Sequence, residues 1–443
     1  MRRIFAPMTN SPKNQEEILA KLKIEKLNPM QEEAQAAILS NSDVVLLSPT
    51  GTGKTLAYLL PIFEDLDVES PEIQVLILVP SRELALQIEQ VIREMGTGYK
   101  TNAVYGGRAG YQDKMDLKHN PTILIGTPGR VADLLRRERF STEFIRTLVL
   151  DEFDKSLEIG FESEMSDILT ALTHVEKKIL TSATKAVEIP AFVGFKKPVY
   201  IDFSHEKITQ LKIRTVVSPS KDKLRTLIQT LGHIGNQPGI IFCNFKETIQ
   251  EISNHLTANK IQHGCFFGGM EQIDRERTLI KFRNGTYQLI VATDLAARGL
   301  DIPELKFIIH FQLPPRSQEF THRNGRTARM NTDGTAYILK WEKEDLPDFI
   351  KNVAVEKLKN APASKAPSWE TLYITGGRRD KISKGDIAGL FLKQGNLAKE
   401  FLGIIEVKQD CSYVAVHSSK VDELIQTVNN SKLKTKKVRV SIV

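Results

Sequence analysis

The stretch DVVLLSPTGTGKT, Asp43 to Thr55, decides the fold. It opens on an unbroken apolar run, the mark of a strand covered on both faces. It closes on a loop whose Gly51 and Gly53 let backbone N–H groups turn inward, and the helical pattern LAYLLPIF comes directly after. Strand, glycine loop and helix start, in that order, make a cradle for phosphates. In it Lys54 reaches the β- and γ-phosphates and the Thr55 hydroxyl is placed to join Mg²⁺. The cradle is read as Ser48, Pro49, Thr50, Gly51, Thr52, Gly53, Lys54 and Thr55, with Ser48 standing where the usual pattern has its first glycine. A flexible turn ahead of a helix is the structural alternative, and the strand–GKT–helix context favours a nucleotide site.

Further apolar runs extend the pattern. VLILVP (75–80), TILIGT (122–127), TLVLDE (147–152) and KILTSAT (178–184) read as buried strands separated by helical stretches. A second series, IRTVVSP (213–219), GIIFCN (239–244), YQLIVAT (287–293), KFIIHFQ (306–312) and GTAYILK (334–340), comes after a polar break. Within LVLDEFDKSL (148–157) an apolar strand runs into Asp151, Glu152 and Asp154. Acids also suit a helix start. Beside a phosphate cradle, however, Asp151 is expected to anchor Mg²⁺ and Glu152 to take a proton from attacking water.

Composition narrows the class. The chain has 443 residues, 41% hydrophobic and 26% charged, too long for one ordinary core. Cys243, Cys265 and Cys411 are far apart and form no CxxC, so neither a disulfide framework nor a zinc site is expected. The opening MRRIFAPMTN lacks an apolar h-region, and no membrane span is expected; a cytoplasmic protein is. The net charge is +7, and residues 370–443 hold thirteen Lys/Arg against eight Asp/Glu. A basic end is usually just solvated, but it is also the electrostatic footprint of a phosphate-backbone binder.

Residues 14–345 resemble the DEAD-box RNA helicases of superfamily 2, on many motifs in order. LNPMQ, ending at Gln31, is similar to the motif whose glutamine reads adenine. PSREL with Pro80 and Arg82, Gly106–Gly107, and TPGR with Thr127, Gly129 and Arg130 resemble the first domain's RNA-backbone motifs. SAT, with Ser182 and Thr184, resembles the element that couples the acidic tetrad, Asp154 included, to RNA. QIDR with Arg275, VATDLAARGLD with Thr293, Gly299 and Asp301, and HRNGRTAR with His322, Arg326 and Arg329 match the second domain. The resemblance implies ATP and Mg²⁺ as cofactors, with Gly299 and Asp301 on the nucleotide side and His322 in coupling. Arg326 and Arg329 would act as fingers on the phosphates, so that hydrolysis needs both domains. Departures are the tetrad DEFD, where Phe153 replaces alanine, and the missing upstream aromatic, for which Phe5 is the candidate stand-in.

The segment 370–443 reads as β-α-β-β-α-β, the ferredoxin-like order of many RNA-binding modules. It resembles the RNA-recognition module of DbpA-type helicases. Tyr373 and Tyr413 hold places where such modules stack bases, and Arg378, Arg379, Lys381, Lys384 and the Lys432–Arg439 cluster, Lys436 and Lys437 included, supply cations.

The expected fold is therefore α/β: two RecA-like parallel-sheet domains plus a small RRM-like α+β domain. The divisions are a 1–13 extension, an ATP-binding domain at 14–205, a linker at 206–212, a second RecA-like domain at 213–358, a linker at 359–369 and the module at 370–443. The expected function is a monomeric ATP-dependent RNA helicase acting on structured RNA, with large-subunit ribosomal RNA as the implied target. The alternative is an ATP-gated RNA clamp that barely unwinds.

Overall fold

The computed structural model describes residues 14–49, 51–107, 113, 115, 117–183, 188–205, 211–294, 305–327, 333–351, 353–359 and 368–443. Thr50, Thr184, Gly299, Asp301, Arg329 and Phe5 lie outside the described residues. The chain divides into two compact units, meeting near residue 207. No helix among the described residues is long and apolar enough to cross a membrane.

In the first unit the strands are β1 (Asp43–Leu47), β2 (Val75–Leu78), β3 (Thr101–Val104), β4 (Ile123–Gly126), β5 (Thr147–Leu150), β6 (Lys177–Ser182) and β7 (Val199–Asp202). They form one parallel sheet in the order β3-β4-β2-β5-β6-β1-β7. Alternate residues of each strand enter different cores. Val44, Ile77, Val149 and Ile179 pack on one face, and Val45, Leu78, Leu150 and Leu180 on the other. Helices cover both faces, which is why the strands read as continuous apolar runs. The strand expected over 147–152 ends at Leu150, releasing Asp151 and Glu152 at its carboxyl end. Ligands of open α/β sheets bind at these carboxyl ends. Because β6 lies between β1 and β5, its last residues bridge the phosphate loop and Asp151.

The second unit opens with β8 (Leu211–Ser218), β9 (Gly239–Cys243), β10 (Gly264–Phe266), β11 (Leu289–Thr293), β12 (Phe307–His310), β13 (Gly334–Trp341) and β14 (Ala354–Val355). Their order, β10-β11-β9-β12-β13-β8-β14, repeats the first sheet strand for strand. Leu211 and Lys212, expected as linker, are already in β8.

The C-terminal part has β15 (Trp369–Ile374), β16 (Leu402–Val407), β17 (Ser412–His417), the short pair β18 (Lys432–Leu433) and β19 (Lys436–Lys437), and β20 (Val440–Ile442). The antiparallel sheet runs β16-β17-β15-β20, with the helices Lys384–Gly389 and Val421–Val428 on one face. Ser383 caps the first of these, as its sequence predicts, in a reciprocal bond pair with Asp386. The other face of this sheet docks on the preceding domain. Thr371 takes hydrogen bonds from Asn284 (3.1 Å) and pairs with Thr286 (2.7 Å). Arg283 meets Glu406 at 2.8 Å, and Lys408 meets Glu276 at 2.6 Å. Lys281 donates to the Val443 carbonyl at 2.6 Å.

Candidate active site

The phosphate loop is braced from behind. Asn28 caps the helix Pro29–Ser40 in a capping box with Gln31, and its side-chain amide also donates to the Thr52 carbonyl at 3.0 Å. Gln31 accepts the Asn28 N–H on Oε1 (3.0 Å) and donates from Nε2 to the Gly53 carbonyl (3.3 Å). Gln31 thus lies against the loop, with both ends of its amide engaged. Gly53 has φ +88°, and a Cβ there would stand 2.5 Å from Gln31 Nε2, so only glycine fits. The Ser48 hydroxyl donates to Thr52 Oγ1 (2.8 Å), which donates to the Pro49 carbonyl (2.9 Å). Lys54 folds its ammonium onto the carbonyls of Ser48 (2.6 Å) and Pro49 (2.9 Å). A phosphate in the cradle would exchange these carbonyls for stronger charge-assisted partners.

Asp151 is buried at the end of β5 and hydrogen-bonded on both oxygens. Tyr58 donates to Oδ2 at 2.9 Å and Thr181 to Oδ1 at 2.5 Å. Glu152 comes next in the left-handed region, φ +47° and ψ +49°, a conformation non-glycine residues rarely adopt. Its N–H is held by Asp151 Oδ1 (3.0 Å) and Thr181 Oγ1 (3.2 Å). Asp154 is buried one turn on. Burial raises its carboxyl pKa, opposed by the positive charges of Lys155 and Lys54 and by the Ser182 hydroxyl.

Asp151 and Thr55 offer hard oxygen donors without histidine or thiolate, the set that suits Mg²⁺. Among the described residues no group of three or more His, Cys, Asp or Glu could hold an ion unaided. Such a site fits an ion that leans on nucleotide phosphates and water.

The expected RNA residues divide in the structure. Arg82 lies beside Gly107, whose added Cβ would meet its Nη1 at 3.2 Å, so these two come together. Gly106 is exposed nearby, while Pro80 and Thr127 are buried, Thr127 leading the helix Pro128–Arg136 that carries Gly129. Arg130, expected to meet RNA, spends its guanidinium on Asp113 (2.5 Å) and Asp133 (2.7 Å). These two pairs brace the turn. In the second unit Arg275 lies over the Phe266 ring at 4.6 Å, and Thr293 ends β11 half-buried. Arg323, only 1% exposed, pairs with Asp294 and donates to Asn244 Oδ1 (2.8 Å). That anchors the end of the helix Ser317–Asn324, which bears His322, and the turn with the buried Arg326, and sequence reasoning passed over it.

Tyr373 and Tyr413 lie close to the preceding domain. They pair across β15 and β17 on the same face as Thr371, the face docked on the preceding domain. Their rings meet edge to face at 5.6 Å; Tyr413 is buried and Tyr373 half-buried. The cations do converge. Lys436 bonds Asp380 at 2.8 Å, joining the β18–β19 pair to the turn with Arg378, Arg379 and Lys381, and Lys437 is exposed beside it. Arg379 itself pairs with Asp410 at 2.9 Å.

A parallel-sheet domain with a phosphate loop and two acids at its carboxyl end, joined to a second domain of the same topology, defines a two-domain RecA-like nucleotide hydrolase. Residues 28–191 match the DEAD/DEAH box helicase model, 222–331 the helicase conserved C-terminal domain and 371–442 the DbpA RNA binding domain. The chain is 31% identical over 430 residues to the ATP-dependent RNA helicase DbpA of Escherichia coli, covering 94% of each protein. It is 29% identical to the DbpA of Bacillus subtilis, covering 93% of this chain and 94% of that one. Among solved structures it resembles Saccharomyces cerevisiae Dbp5 bound to RNA and ADP BeF3, with TM-score 0.66, 25% identity and coverage of 74% of this chain and 88% of that one. The chain belongs to the DEAD-box ATP-dependent RNA helicases, of the DbpA type.

Proposed function

We propose that this helicase locally unwinds or remodels structured RNA, with large-subunit ribosomal RNA during ribosome assembly as its substrate, working as a monomer in the cytoplasm. One observation carries the reading: the phosphate loop and the Asp151–Glu152 pair share a chain with a DbpA-type RNA-binding domain. The amides of the loop bind the phosphates, and Lys54 moves from the Ser48 and Pro49 carbonyls to the β- and γ-phosphates. Thr55 and Asp151 would hold Mg²⁺, which when bound neutralises phosphate charge. Glu152 takes the proton of the attacking water. Gln31 selects adenine, Gly299 and Asp301 assist on the nucleotide side, and Arg326 with Arg329 stabilises charge as the phosphoryl group transfers. Asp154, Ser182, Thr184 and His322 link that chemistry to RNA. Arg82, Gly106, Gly107, Thr127, Gly129, Arg275 and Thr293 meet the sugar-phosphate, which positions a strand without reading its sequence. Address then falls to the module's cations, Arg378, Arg379, Lys381, Lys436 and Lys437.

Steady-state ATP turnover with ribosomal RNA fragments, against an equal nucleotide mass of unstructured RNA, tests this. Strong stimulation by one large-subunit fragment is expected. Equal stimulation by both would keep the helicase and reject the address. No stimulation, with intrinsic hydrolysis intact, would favour an ATP-gated clamp.

A further inference from the structure

We infer that Tyr58 and Thr181 are positioning residues whose two hydroxyls grip the Asp151 carboxylate and aim it for Mg²⁺ before nucleotide arrives. The inference rests on reading Asp151 and Thr55 as the metal residues.

Tyr58 lies on the helix Lys54–Glu64, one turn beyond Thr55, and is fully buried. Its ring packs among Val44, Ile77, Val149 and Ile179, an apolar setting in which a phenol must find an acceptor. It finds Asp151 Oδ2 at 2.9 Å. Thr55, the other candidate metal residue, lies three positions before Tyr58 on the same helix.

Thr181 completes the grip from β6. It is fully buried, donates to Asp151 Oδ1 and accepts the Glu152 N–H, thereby also holding the left-handed backbone of the expected base. Oδ2 then has one fixed donor and a lone pair left over, while Oδ1 takes both the Thr181 hydroxyl and the Glu152 N–H. The group cannot turn about its terminal bond without breaking a buried hydrogen bond. Partners of this kind, one shell out from a metal, tune affinity by about 10–100-fold. A plain core role would use the same contacts to hold the fold, and only a metal readout separates the two.

The experiment is a titration of the full chain with Mg²⁺ in the presence of fluorescently labelled ADP. Tyr58→Phe and Thr181→Val should each raise the Mg²⁺ midpoint about tenfold, with ADP affinity in EDTA unchanged. Thr181→Ser, which keeps the hydroxyl, should restore the wild-type midpoint. An unmoved midpoint in Tyr58→Phe, when Asp151→Asn does move it, overturns the grip. So does an equal loss of ADP affinity in EDTA, which would mean general damage to the loop. If Asp151→Asn itself leaves the midpoint unmoved, the metal reading falls and the grip with it. Should Thr181→Val not fold, Tyr58→Phe decides alone, because it deletes one oxygen and keeps the ring.

Discussion

Phe153 shows how one residue can change a signature without touching its chemistry. The ring is 1% exposed and belongs to the core that holds Leu78, Leu150 and Leu180, while the acids on either side remain at the sheet's carboxyl end. Truncating a buried phenylalanine costs about 3–5 kcal/mol in lost burial and cavity. Phe153→Ala should therefore lower the unfolding temperature of the first domain despite restoring the family's usual alanine. Calorimetry on the full chain checks this, and an unshifted first-domain transition would contradict it. Sequence alone located Asp151, Glu152 and Lys54 from local context. It missed Tyr58 and Thr181, since LAYLLPIF reads as an apolar helix and nothing local tells where a phenol hydroxyl will land.

At the scale of elements, β12 and the helix Ser317–Asn324 are joined by a buried histidine. His310 bonds Asn324 Oδ1 at 3.0 Å through Nε2, and its ring stacks between Phe242 and Phe320. Burial, and next the nearby charge of Arg323, lower its pKa to about 3. The unfolded chain then binds a proton near pH 6.5 that the folded domain refuses, so stability falls as pH drops from about 6.5 towards 3. Between pH 7 and 5 the loss should be about 2 kcal/mol. Denaturant titration at the two pH values should show it, and His310→Gln should flatten the difference; an equally steep dependence in that variant would rule out His310 as the cause. Element prediction worked where both faces are covered and failed at the margins. The edge strands β3, β7, β10 and β14 went unread because a half-exposed or very short strand carries no apolar run: β7 buries only Ile201.

Across the whole molecule, two sheets of identical order differ in the loop after their first strand. Beyond β1 lies an open glycine loop; beyond β8 lies SPSKDK, where Lys223 sends its ammonium to the carbonyls of Phe311 (2.6 Å) and Leu339 (3.0 Å). That lysine is buried and held by backbone, and its loop lacks the two glycines found after β1. The same unit also carries the docked C-terminal domain, which makes that domain more than a loose tether. Thr371→Val keeps the side-chain shape and deletes the bonds to Asn284 and Thr286, leaving buried polar groups unpaired at about 1–3 kcal/mol. Labels on the second RecA-like domain and the C-terminal domain should then report a broader distance distribution by single-molecule energy transfer. An unchanged width would mean the contact contributes little to holding the domain.

The sequence by itself determined the parallel α/β class, the phosphate loop, the acids after β5 and the order of the helicase motifs, because each depends on residues within one strand–loop–helix passage. Only the tertiary structure decided which hydroxyls grip Asp151, that Arg130 is spent on Asp113 and Asp133, and that the tyrosine face of the C-terminal sheet is covered. Those outcomes join residues distant in sequence, and local periodicity carries no record of which surface another element will bury.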